Sequence, residues 1–348
     1  MISSLFINPQ EHRLRAGWRL LLHAAFYFGL VLFGTMLVGV VAGIGLLLSG
    51  ADMTDPNVIA GLATNPLIRV ASGLISLFVI FLSYWIFARW IDRRPFADFG
   101  FHLKASWWID LGFGLFLGAF LMVLIFAVEM LAGWITIDGF FESTSPGTPF
   151  LLAVIADLIL FLCVGIYEEM LSRGYQIKNL AEGLNFRFFG PRTALLLAYL
   201  GSSIFFGLLH AGNPGATFIS TINLIIAGLF LGLGYVLTGE LAIPMGLHIT
   251  WNFFQGTVFG FPVSGTLTAA TAVAIRQNRP ELWTGGVFGP EAGLIGLAAI
   301  ALGSLMIIGW VRLRHGSAAI SEVLALYRPR QPKTVETPAP VVPPAPIQ

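Results

Sequence analysis

The sequence predicts an all-α polytopic transmembrane helix bundle of about eight spans, with both termini on the cytoplasmic side. Three observations carry this. First, 56% of the 348 residues are hydrophobic and only 11% are charged, with a mean hydropathy of +0.83, whereas a soluble domain carries about 25% charged residues. Second, apolar stretches near the length of about 20 residues needed to cross a bilayer recur along nearly the whole chain. Third, the basic residues fall almost entirely into alternate connections. Together these exclude a set of soluble domains, for which no charged block of sufficient size remains. A formal net charge of +1, with no basic stripe, excludes nucleic acid as a partner. The expected partners are the lipid bilayer and membrane-embedded or lipid-anchored peptides.

The spans are justified in chain order. Arg13, Arg15 and Arg19 precede an apolar run that lasts to about Leu48, far longer than the core of a cleaved signal peptide, so it reads as a retained helix. The full set is 19–48, 67–91, 107–135, 149–172, 192–210, 217–238, 241–260 and 290–311. Turn-forming sequences separate them: SGADMTDPN (49–57), DRRP (92–95), STSPGTP (143–149), FFGPR (188–192), AGNPG (211–215) and LTGE (237–240). Placing the N-terminus in the cytoplasm gathers 16 of the 19 Lys and Arg on that side and leaves only Arg69, Arg276 and Arg279 opposite. That bias predicts a multi-pass inner (plasma) membrane protein, N-in and C-in. The chain then divides into three N-terminal spans (1–148), a four-span core (149–260), a loop with the final span (261–312) and a Pro-rich cytosolic tail (313–348). Cys163 is the lone cysteine, so an intrachain disulfide is excluded.

Charged and polar groups within the hydrocarbon cost about 2.5–3.5 kcal/mol each on insertion scales, which makes each one a functional candidate. Asp110, Glu129, Asp157, Glu168, Glu169, Arg173, His210, His248 and Asn252 are the set. In VGIYEEMLSRGYQ (164–176), Glu169 and Arg173 are spaced i,i+4 and suit an ion pair. Glu168 lies about 100° around the helix axis and faces elsewhere. The alternative is that all three merely mark a cytosolic helix end. His210 closes an apolar helix one turn after Phe206, an aromatic placed to wall the imidazole from lipid. His248 and Asn252, again i,i+4, present imidazole and carboxamide to one point; polar contacts between helices would equally use that pattern. The remaining histidines, His12, His23, His102 and His315, are read as lying in loops or at helix ends.

EEMLSR (168–173), FGLLH (206–210) and HITWN (248–252) reproduce, in order, the EExxxR, FxxxH and HxxxN patterns of one family. On them the chain resembles the CPBP (CAAX protease and bacteriocin-processing, or Abi) family of intramembrane proteases, over about residues 149–260. FADFGFH (96–102) is similar to the segment that precedes this core in many members. The resemblance implies an intramembrane hydrolase that cleaves a membrane-anchored, prenylated or otherwise hydrophobic peptide, approached from the cytosol. It further implies Glu168 as general base, His210 holding the attacking water, and His248 with Asn252 stabilising the oxyanion. Glu169 and Arg173 would then position the helix.

The HExxH signature of zinc peptidases is absent. Glu168, His210 and His248 would nevertheless make a two-histidine, one-carboxylate site for a divalent metal such as zinc, as the metalloprotease label used within the family suggests. Glutamate-activated water without a metal fits the motif as well and is the preferred expectation. Two other function classes stand beside the peptidase. One is a regulator or immunity protein of the same fold. The other is a proton-coupled transporter relaying through Glu168, Glu129, Asp157 and the histidines, in which Asp157 shares nearly the same helix face as Glu168. One tension accompanies the site: His210 lies 18 residues beyond Arg192, about 27 Å along a helix, while Glu168 and His248 fall in the cytosolic half. Either the fourth and fifth helices run past the membrane boundary, or 192–210 is tilted, broken or re-entrant.

Overall fold

The computed structural model describes residues 3–144, 147–278 and 280–329. Arg279, Arg330 and the Pro-rich segment 331–348 lie outside them. The helices that build the bundle are α1 (Ala16–Leu48), α2 (Pro66–Ile86), α3 (Ala105–Leu131), α4 (Phe150–Glu169), α5 (Lys178–Leu184), α6 (Gly190–Leu209), α7 (Phe218–Thr238), α8 (Ala242–Phe253) and α9 (Leu294–His315). Wider π-helical turns extend α2 through Phe87–Ile91, join α4 to α5 through Met170–Ile177, and extend α8 through Phe254–Val258.

Local signals account for the ends. Asn65 caps α2, its side chain accepting from the Leu67 and Ile68 amides, and Pro66 occupies the first turn, where no amide donor is needed. Thr217 and Ser220 close a reciprocal capping box on α7, which stops at Gly239 with φ 76°.

Among the described residues, seven helical segments are long and apolar enough to cross a membrane: 16–48, 66–91, 105–131, 150–184, 190–209, 218–238 and 294–315. The expected span at 241–260 is different. It is a helix of 12 residues followed by a π-helical stretch of 5, and every residue from Ala242 to Ile249 is buried. This segment is the core of the bundle, gripped by α3, α4 and α7 rather than by lipid. Close approach of backbones makes the grip: a β-carbon on Gly118 of α3 would stand 2.4 Å from the Leu247 carbonyl oxygen, and one on Gly246 of α8 would stand 2.4 Å from that of Leu111.

The expected third span also ends early. The chain leaves α3 at Leu131 and enters a strand, β1 (Ile135–Ser143), which pairs antiparallel with β2 (Ala270–Gln277). The loop 261–289 therefore contributes half of a two-stranded ribbon that lies across one end of the bundle. Asp157, buried in α4, fastens it: its carboxylate accepts from the Ala269 and Ala270 amides at 3.1 and 3.0 Å and from Thr257 Oγ1 at 3.2 Å.

At the opposite end the chain is tied by charge. Glu182 Oε2 takes Arg94 Nη2 at 2.6 Å, Arg13 Nη2 at 2.7 Å and Arg19 Nη2 at 3.1 Å. There α9 is fastened to α3, with Asp110 accepting from Trp310 Nε1 at 2.9 Å and paired with His315 Nε2 at 3.2 Å. Among the described basic residues Arg69 and Arg276 lie at the ribbon end, Arg13, Arg19 and Arg94 lie at the arginine end, and Arg173 is buried at mid-height on Glu169. His23 departs from its expected helix-end setting. It is buried, stacked on Tyr175 with ring centroids 3.6 Å apart, and bonded to Ser83 Oγ at 3.0 Å.

Candidate active site

The depth of His210 follows from how the middle of the chain folds. The helical segment that begins at Phe150 runs 35 residues, to Leu184, about 52 Å at 1.5 Å per residue against a hydrocarbon layer of about 30 Å. It therefore continues well past Glu168 at the arginine end. α6 starts from that extension and returns antiparallel without a break, with Ser202 Oγ donating to the Ser172 carbonyl at 2.7 Å. That register brings Phe206 and His210 back to the level of Glu168. The fourth helical segment is the one that runs long, while 190–209 is an unbroken helix of 20 residues.

Glu168, Phe206, His210, His248 and Asn252 all line one cavity of about 440 Å³. The adjacent glutamates are separated as their spacing predicts. Glu169 is fully buried and its Oε1 binds Arg173 Nη1 at 2.9 Å, while Glu168 retains 21% of its side-chain exposure on the cavity wall. Arg173 also donates from Nη2 to the Gly228 carbonyl at 2.9 Å, and its guanidinium lies 4.5 Å above the Phe206 ring. Phe206 thus packs on this cation and neighbours the imidazoles of His210 and His248, with ring centroids 4.8 and 6.1 Å away.

One contact was not legible in the spacing. His248 Nδ1 lies 2.7 Å from Glu169 Oε1, so the buried carboxylate holds an arginine and an imidazole at once. A carboxylate only accepts, so Nδ1 carries the proton and Nε2 is turned toward Glu168, whose Oε2 is 3.9 Å away. His210 is fixed in the same sense, with Nδ1 donating to the Phe206 carbonyl at 2.8 Å. In their neutral forms both rings offer Nε2 as an acceptor, and His248 becomes a donor into the cavity only as imidazolium.

Among the described residues no three His, Cys, Asp or Glu side chains are arranged to hold a metal ion. Glu168, His210 and His248 share a wall of the cavity but do not close into a ligand set. Asp157 lies outside the cavity lining, and its carboxylate is taken up by three donors at the ribbon. The proton-relay reading loses its best residue by that engagement.

Further cavity residues went unnoticed in the sequence. Arg69, Ser72 and Ser76 of α2 face it, together with Asn213, Ser264, Thr266 and Glu291 from the ribbon end. The Ser72 and Ser76 pair, i,i+4 in an apolar helix with Arg69 three residues before it, is the signal that would have exposed this wall. The lining therefore leads from Glu168 toward the ribbon, away from the arginine end.

The family model described as type II CAAX prenyl endopeptidase Rce1-like matches residues 150–254, which span α4 to the end of α8 and contain all three motifs. No curated protein and no solved structure matches the chain.

Proposed function

On the premise that residues 150–254 are an Rce1-like domain of the CAAX protease family, we propose that the protein is an intramembrane endopeptidase that hydrolyses a peptide bond of a membrane-anchored, hydrophobic or prenylated peptide with a water activated by Glu168. The supporting observation is the division of labour between neighbouring carboxylates. Glu169 is locked between Arg173 and His248, and Glu168 stands on the cavity wall beside His248 Nε2.

In this reading a water donates one hydrogen bond to Glu168 and another to His210 Nε2, whose acceptor state is fixed by the Phe206 carbonyl. Glu168 removes a proton as the water oxygen attacks the scissile carbonyl carbon. The oxyanion that develops is met by the Asn252 carboxamide N–H, and by His248 Nε2–H when that ring is protonated, its positive charge supported by the buried Glu169. Donors of this kind contribute about 2.7–4 kcal/mol each to lowering the barrier. Glu168 then returns its proton to the leaving nitrogen, the C–N bond breaks, and an acid and an amine result. These steps run on protein groups and water alone.

The 16 to 3 division of Lys and Arg supports, under the positive-inside rule, a reading in which the arginine end lies in the cytoplasm and the ribbon end of the cavity on the other side of an inner membrane.

Glu168→Gln tests the reading, because it removes a base while keeping volume. The purified variant should retain the unfolding profile of the parent and lose cleavage by about 10²–10⁴-fold. Mass spectrometry of cells carrying it should show uncleaved membrane peptides accumulating. An unchanged peptidome with full cleavage in vitro contradicts the assignment.

A further inference from the structure

At the arginine end, where α2 gives way to its π-helical turn, Trp85, Ala88, Arg89, Arg94, Pro95 and Phe96 line a small cavity of about 140 Å³. None of these residues belongs to the matched domain or to the lining that holds Glu168. Two guanidiniums meet at this cavity, and neither is fully used. Arg94 is buried and donates from Nη2 to Glu182 Oε2 at 2.6 Å, but its Nε and Nη1 have no hydrogen-bond partner among the described residues. It lies over the rings of Phe99 and Tyr327, 5.4 and 5.6 Å from their centroids, contacts that use no N–H. Glu182 is already divided among Arg13, Arg19 and Arg94. Asp98 acts on Arg94 through space without coming within ion-pair distance. Arg89 is exposed, makes no hydrogen bond or ion pair among the described residues, and lies 5.9 Å from the Trp90 centroid. Unmet donors on a buried cation call for an acceptor.

We propose that this cavity binds the phosphate of an anionic glycerophospholipid from the leaflet at the arginine end. Two guanidiniums, one of them with idle donors, match a phosphate anion, and a basic pocket at the end of a span is where lipid headgroups are held. What points to a lipid rather than to a free anion is the surface beside the cavity. Leu74, Phe78, Phe81 and Trp85 are all exposed and recur at i, i+4, i+7 and i+11, so they form one stripe along α2 that ends at the cavity and gives an acyl chain its track. Trp85 and Trp90, with centroids 5.0 Å apart and rings at 87°, stand where indoles settle at headgroup level. A choline headgroup would bring a like charge to the two guanidiniums, so the net anionic lipid is favoured. Because Arg94 shares Glu182 with Arg13 and Arg19, the bound phosphate adds an anion to the knot that ties α1 and α2 to α5.

The test uses the full chain in phosphatidylcholine nanodiscs doped with phosphatidylglycerol. Native mass spectrometry reads the lipid retained on the protein, and thermal unfolding reads its effect. The parent should retain phosphatidylglycerol about 10-fold or more above its mole fraction, as a charge-assisted contact gives, and should unfold at a higher temperature than in pure phosphatidylcholine. Arg89→Gln should remove most of the enrichment and of the thermal gain, with its unfolding temperature in pure phosphatidylcholine unchanged. Arg94→Lys, which keeps a cation for Glu182 and loses the planar fork, should lower the enrichment as well, and Trp85→Leu should weaken it. Arg312→Gln, which removes an exposed charge from the end of α9, should leave it intact. Absence of enrichment in the parent, or an equal loss in Arg312→Gln, overturns the proposal. Inorganic phosphate that raises the unfolding temperature in phosphatidylcholine as far as phosphatidylglycerol does would make the cavity a site for a free anion, and the lipid assignment would fall.

Discussion

Substituting Glu169 by Gln probes the centre of the site without touching the cavity wall. The carboxylate is fully buried and bridges Arg173 Nη1 at 2.9 Å and His248 Nδ1 at 2.7 Å. Gln keeps the volume and one acceptor oxygen but no charge. Charge-assisted hydrogen bonds contribute about 1.5–3 kcal/mol each, against about 0.5–1.5 kcal/mol for neutral ones. The two contacts together therefore lose about 2–3 kcal/mol, and the uncompensated guanidinium sets an upper range of about 3–5 kcal/mol. Arg173 keeps the Gly228 carbonyl and the Phe206 face, which holds the cost toward the lower figure. Thermal unfolding in detergent should shift down accordingly. Cleavage should fall as well, since a protonated His248 Nδ1 is no longer enforced and its imidazolium loses its counter-charge. Arg173→Met placed on top of Glu169→Gln should recover part of the stability and none of the activity, because it removes the stranded charge without restoring the partner of His248. A Glu169→Gln protein with unchanged stability and turnover would refute the bridging role.

Two further outcomes follow from the packing and from the ribbon end. Gly118→Val should separate α3 from α8 and lower both stability and cleavage, at about 1–3 kcal/mol, whereas Gly112→Ala, with open space around it, should be neutral or slightly stabilising; equal effects on unfolding temperature would contradict the close-approach account. Burial pushes the Glu291 carboxyl, which precedes α9, up to about 7 from an ordinary 4.5. A carboxyl raised in the folded state favours folding below the unfolded value and loses that favour as pH climbs from about 4.5 to 7, by roughly 3 kcal/mol. Denaturation followed across that window should show stability falling with pH, and Glu291→Gln should flatten the slope; an identical slope in the variant counts against it.

Much of the architecture was legible because lipid is a simple solvent: it demands long apolar helices, and those announce themselves. The positions of α1 to α4, α6, α7 and α9 needed little else. α8 was read correctly as a helix and misread as a lipid-crossing one, since apolarity alone does not separate a segment buried in protein from one facing acyl chains. The ribbon was missed because its strand Ile135–Ser143, carrying Asp138, Gly139 and Glu142, reads as a connection between spans and its partner lies more than 120 residues away. The split between Glu168 and Glu169 came straight from i,i+4 geometry. The His248 contact to Glu169 joins residues 79 apart, and Arg69 reached the cavity from a helix outside the motif region. Such pairings belong to the fold as a whole, and local spacing carries no record of them.

The overlong hairpin formed by α4 to α6 has a mechanical meaning. Glu168 and His210 sit on two arms joined beyond them at the arginine end, so their mutual height is set by that connection. A thicker or thinner bilayer shifts the collar of acyl chains around the protein and changes how a peptide reaches the cavity, while the acid and the imidazole keep their alignment.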